Sequence, residues 1–120
     1  MKYMLLIHND PAAMQRLSQA EQEKIMADVG GIMKELTANR ELIGGAALTD
    51  VSQSRTVRVV DGAVATTDGP FAEVKEHLAG YITVDVPNLE RAIEIASRWP
   101  DARTGAMEVR PILDTITVDE

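Results

Sequence analysis

The sequence predicts one α+β domain in which two amphipathic helices lie on one face of an antiparallel sheet. Three observations lead there. Short runs such as Tyr3–His8 and Ile82–Val86 alternate with a period of two, as strands do. Ile25, Val29, Ile32 and Leu36 recur at helical spacing. A length of 120 residues suits one domain and can bury a core without covalent staples.

The chain opens on a strand. From Lys2 to His8, Tyr3, Leu5 and Ile7 point one way and Met4, Leu6 and His8 the other. Both sets are mostly apolar, which suits a central strand, and Asn9-Asp10-Pro11 breaks it. Ser18-Gln19-Ala20-Glu21 has the form of a capping box and starts a helix that runs to about Arg40. Met26 and Met33 widen its apolar stripe. Gly30-Gly31 in its middle costs about 1 kcal/mol per glycine relative to alanine, which predicts close approach to the sheet or a bend.

Leu42 to Leu48 reads as a second strand kinked by Gly44-Gly45. Ser54–Val60 and Ala63–Thr67 flank Asp61-Gly62, a strong hairpin turn. Asp68-Gly69-Pro70 stops the returning strand. His77–Val86 contains the next strand and Pro87 ends it. Asn88 caps a second helix with Leu89, Ala92, Ile93 and Ala96 as its inner stripe, ending before Pro100. Ala106–Ile112 is the last main strand, and the tail to Glu120 is expected to add a short edge. The order is β-α-β-β-α-β with an inserted hairpin, the ferredoxin-like split arrangement.

Two helices cover only one face of such a sheet. If the aliphatic faces meet the helices, the open face carries Tyr81, Thr83, Asp85, Glu108 and Arg110, joined by Arg58 and His8 with Met4 and Leu6 between them. A face of that mixed character predicts two sheets meeting across a shared cavity in a homodimer.

Composition excludes several classes. There is no cysteine, hence no disulfide, thiolate metal site or cysteine nucleophile. A net charge of −7 and scattered Lys and Arg argue against nucleic acid and anionic lipid as partners. The Tyr3–Ile7 run is too short for a signal peptide core, and no stretch nears the roughly 18 apolar residues of a membrane span, so a cytoplasmic location is expected. Two histidines far apart in sequence make a metal site weak, and nothing calls for a cofactor.

Thr66-Thr67-Asp68-Gly69-Pro70-Phe71-Ala72-Glu73-Val74-Lys75-Glu76 closely resembles the motif of the DGPF branch of the YCII-related family. The opening MKYMLLI, Thr56-Val57-Arg58, Gly80-Tyr81, Asn88-Leu89 and Val109-Arg110-Pro111 fit the same branch, so the resemblance spans nearly the whole chain. It implies a dimeric α+β barrel. Some YCII-related relatives are linked to small-molecule degradation, including dehydrochlorination of a chlorinated aromatic. Members of the branch often occur beside extracytoplasmic-function sigma factors, which implies a regulatory setting. YCII-type proteins also carry a helix histidine paired with an aspartate as the acid–base unit. The first helix here has no histidine between Ser18 and Arg40, so that pair does not carry over.

Each candidate residue has two readings. Asp68-Gly69-Pro70-Phe71 is either a turn anchored by Phe71 in the core, or a rim that sets Asp68 at the mouth of the barrel. His8 is the best acid–base candidate or a hydrogen-bonded strand end. His77, beside Glu73, Lys75 and Glu76, reads as solvated. Glu108 and Arg110 pair with each other's copies or with Asp85, or Arg110 holds a substrate carboxylate. Arg58 has the same choice.

Two functions follow. The first is a small-molecule-binding homodimer acting as a general acid–base lyase or isomerase. There His8 or Asp68 moves protons, Arg58 or Arg110 holds an anionic substrate, Tyr81 and Phe71 line the pocket, and Asp85 and Glu108 complete it. The second is a non-catalytic interaction module working with a sigma factor.

Overall fold

The computed structural model describes residues 1–72 and 74–116. Strands β1 (Lys2–Asn9), β2 (Leu42–Ala47), β5 (His77–Asp85) and β6 (Ala106–Pro111) form one antiparallel sheet in the order β2-β5-β1-β6. Strands β3 (Arg55–Val60) and β4 (Ala63–Asp68) form a separate two-stranded ribbon. Helices α2 (Gln19–Ala38) and α3 (Leu89–Arg98) are the long ones; α1 (Pro11–Gln15) and α4 (Asp101–Thr104) are single turns. The chain is α+β, and its main sheet is compatible with a ferredoxin-like arrangement.

The core forms where alternation on the sheet meets the helix stripes. Tyr3, Leu5, Ile82 and Val84 are buried beneath Ile32 and Leu36 of α2 and Ala92, Ile95 and Ala96 of α3, with Trp99 beside them. The inner stripe of α3 is therefore Ala92-Ile95-Ala96, with Trp99 buried just past its end, while Leu89 and Ile93 are exposed. Both choices satisfy helical spacing; packing against β1 and β6 selects the one containing Ile95. On α2 the stripe narrows in the same way, with Val29 and Met33 half-buried and Met26 exposed. Gly30 and Gly31 lie on an exposed face where an added Cβ would meet nothing, so no close approach to the sheet explains them.

Local chemistry sets the boundaries. Ser18 and Glu21 complete a capping box, the serine accepting from the Glu21 amide at 3.1 Å. Asp10 caps α1, which Pro11 begins. At the end of α2 the amides of Arg40 and Glu41 donate to the carbonyls of Thr37 and Leu36, a Schellman arrangement with Arg40 at φ 58°. At Asp61-Gly62 both residues have positive φ, as a tight hairpin turn requires.

Charges tie the helices to the sheet. Arg91 of α3 donates twice to Glu41, at 2.9 and 2.7 Å, and reaches Glu35 of α2 at 3.2 Å. Arg98 grips Glu35 with two further bonds of 2.7 and 2.9 Å. The Arg98 and Arg91 hydrogen bonds hold the Glu35 carboxyl down from 4.5 to about 2. Those from Arg91 lower Glu41 as well.

The ribbon projects. The radius of gyration is 16.5 Å, against about 14 Å for a compact chain of this length. Two backbone-anchored bonds fix its base: the Gly69 amide donates to the Ser54 carbonyl at 2.8 Å, and the Thr56 hydroxyl donates to the Gly69 carbonyl at 2.9 Å. Val57, Val59 and Val64 share one side of it, all exposed, with Val59 at 67% and Val64 at 71%. Residues 112–116 form no strand, and the rest of the expected tail edge, 117–120, lies outside the described residues.

Two outcomes follow. Arg40 occupies a left-handed position that favours glycine, so Arg40→Gly should raise stability by about 0.5–1 kcal/mol in urea unfolding. Because Glu35 and Glu41 are both lowered in the folded chain, the unfolded chain takes up protons first as pH falls. Their stabilisation is complete above about 4.5 and is lost toward pH 2. Thermal midpoints should fall across that window, and Arg91→Met should flatten the slope.

Candidate functional site

The open face of the sheet is built by register. Leu6 lies between Tyr81 on β5 and Glu108 on β6; Met4 lies between Thr83 and Arg110. Ala46 and Gly44 of β2 extend the two rows past Tyr81 and Thr83. These side chains point away from the helices, because their neighbours Tyr3, Leu5, Ile82 and Val84 fill the core. The face therefore mixes aliphatic, aromatic and charged groups.

His8 belongs to this face. It stands opposite Ala106, which makes it the diagonal neighbour of Glu108 on β6. Its Nε2 lies 3.1 Å from Oε1 of Glu108, and the two side chains are 28% and 51% exposed. A shift in the β1–β5 register between Ile7 and His8 falls at this point. Gly105 seats the start of β6 against β1, since a Cβ there would collide with the His8 carbonyl. An imidazole oriented by a carboxylate is a unit that can exchange a proton with a ligand. Arg110, two residues along, has no ion-pair partner among the described residues and can hold a carboxylate in two parallel bonds.

Other sequence candidates lie elsewhere. Asp85 is at the far end of the sheet, where its Oδ1 accepts from the Met1 ammonium at 2.9 Å. The Glu108 partner is thus His8, not Asp85. Arg58, Asp68 and Phe71 belong to the ribbon and the segment after it, not to the open face. Asp68 pairs with its cross-strand neighbour Arg55 at 3.1 Å and is 89% exposed. Phe71 is 74% exposed, so it does not anchor the turn in the core. Its ring instead carries the Arg58 guanidinium at 4.7 Å from the centroid. The chain carries His8 and Asp68 on different sheets with different partners. The tight Asp61-Gly62 turn pairs β3 with β4 along their facing edges, and neither strand joins the main sheet.

Behind the sheet lies a cavity that sequence reasoning missed. About 360 Å³ opens between α2 and the β2–β5 edge. Its walls are Ile7, Val29, Met33, Leu42, Ile82 and Trp99. Gly45 and Gly80 form its floor, pressed so close that a Cβ on either would strike the neighbouring strand's backbone. The signal was present in Gly44-Gly45-Ala46-Ala47, a strand too small to fill the space beneath a helix.

The family description "YCII-related domain" matches residues 1–116. The chain belongs to the YCII-related family. It is also similar to the Uncharacterized protein R00369 of Rhizobium meliloti (strain 1021), 32% identical over 114 residues, or 93% of this chain and 92% of that one. The YCII-type helix histidine has no counterpart on α2, whose cavity-facing residues are Val29 and Met33. The imidazole nearest a carboxylate among the described residues is that of His8 on β1, beside Glu108.

Gly105→Ala tests how the His8 geometry is held. The added Cβ should push β6 from β1, lower the thermal midpoint and shift the His8 ring resonances in NMR, whereas Gly30→Ala, with open space around it, should do neither.

Proposed function

We propose that this YCII-related chain, a single domain over residues 1–120, is a small-molecule-binding homodimer. In it two copies lay their open sheet faces together as a dimeric α+β barrel, enclosing a shared cavity. One observation carries the reading: a face uncovered by helices holds Met4, Leu6 and Tyr81 beside a His8–Glu108 pair and Arg110. Apolar groups on an uncovered face favour burial against a partner. In the cavity so formed, His8 with Glu108 exchanges the proton of a general acid–base step, as in a lyase or isomerase. Arg110 holds an anionic group of the substrate, and Tyr81 lines the wall. Asp68, Arg58 and Phe71 act as a rim contributed by the ribbon rather than as the centre. The setting is cytoplasmic.

A second reading draws on the bare ribbon. A non-catalytic module could use Val57, Val59 and Val64 to dock on a partner such as an extracytoplasmic-function sigma factor. It makes Val59→Lys the damaging change, with the sheet face irrelevant.

Sedimentation at micromolar concentration tests the first reading. The first reading expects a dimer that Leu6→Glu converts to a monomer with unchanged far-ultraviolet circular dichroism. A monomeric wild-type chain, or a dimer indifferent to Leu6→Glu, removes the shared cavity.

A further inference from the structure

The chain's second histidine, His77, is half-buried rather than solvated. It opens β5 directly across from Asn9, the last residue of β1. The segment 48–51 passes in front of them, fixed to β5 by the Leu48 amide, which donates to the Ala79 carbonyl at 2.9 Å. Together with α1 these pieces line an open cleft of about 330 Å³, within the size range of small-ligand sites.

The polar side chains lining this cleft are Asn9, Thr49, Asp50 and His77, and each of them can accept a hydrogen bond. Asn9 gives its amide nitrogen to Asp101 at 3.1 Å, which leaves its carbonyl oxygen on offer. Asp50 fixes one carboxylate oxygen by accepting from the Ser52 amide at 3.0 Å. The hydrogen bonds from Ser52 hold this carboxyl below the usual range, so it stays anionic. The His77 ring has no hydrogen-bond partner among the described residues and can present a nitrogen lone pair. Among the described residues no lysine or arginine lines the cleft. Its apolar walls include Pro11, Met14, Leu48, Val51 and Leu78.

We propose that this cavity binds the ammonium group of a small aliphatic primary amine. Asp50, Asn9 and His77 accept its three N–H bonds, and Met14, Leu48 and Leu78 cover its hydrocarbon tail. A primary ammonium has three donors and no acceptor, which matches the inventory of the site. The formal charge of −7 draws such a cation toward the chain. The site is separate from the open face: none of its lining residues is His8, Glu108 or Arg110.

The test is an NMR titration of the full, nitrogen-15-labelled chain with n-butylamine. Its neutral analogue n-butanol and the anion butyrate serve as controls. Saturable shifts at the His77, Leu78 and Ala79 amides are expected for the amine, with both controls about 10-fold weaker or more. Asp50→Asn keeps the side-chain oxygen that accepts from Ser52, since asparagine caps as well as aspartate does. It should leave the thermal midpoint unchanged and weaken the amine by about 10-fold or more. Equal binding of n-butanol, undiminished binding to Asp50→Asn, or shifts that never saturate would each overturn the assignment.

Discussion

Strand β1 is hydrogen-bonded along both edges, to β5 and to β6, and its alternation divides the molecule into core and surface. Tyr3 and Leu5 take the helix side and are almost wholly buried. Met4, Leu6 and His8 take the other. A one-residue slip of this strand would exchange the two sets and place His8 under the helices. The pairing partners inherit the same division, so Tyr81 and Glu108 share a row because Leu6 lies between them. The electrostatic bracket of Glu35, Glu41, Arg91 and Arg98 holds α2 and α3 over the buried side. With both helices committed there, the far side is left to whatever the chain meets.

Much of this was legible in the sequence alone, wherever the signal was local. The alternation of β1, the capping box at Ser18 and Glu21, the tight turn at Asp61-Gly62 and the Asn88 cap each depend on a few neighbouring residues and on well-defined backbone preferences. Failures came where two local solutions were equally good and distant packing decided between them. Ile93 and Ile95 both fit a helical stripe; only the position of α3 over β1 and β6 buries the second. Gly30-Gly31 suggested close contact, but whether a glycine touches anything depends on where the helix lies. The small turns α1 and α4 were too short to leave a periodic pattern.

The candidate site was legible in part for the same reason. Alternation placed His8, Glu108, Arg110 and Tyr81 on a common face. It could not show that His8 meets Glu108, a contact between residues 100 positions apart. Nor could it show that the hairpin leaves the sheet, carrying Arg58, Asp68 and Phe71 with it. Asp68-Gly69-Pro70 reads readily as a turn because glycine, proline and aspartate answer to backbone geometry. Backbone geometry alone does not bring a side chain to a substrate.

The ribbon's independence has a bearing on how such a chain can change over generations. Its two strands pair only with each other, and it joins the rest of the fold at a base fixed by Ser54, Thr56 and Gly69. Residues can be added or lost symmetrically about Asp61-Gly62 without altering the register of β1, β5 or β6. The ribbon is therefore a place where sequence drift is cheap for the core. Related chains can differ most in arm length while keeping one sheet, and the same turn would accept an inserted peptide or a spectroscopic label.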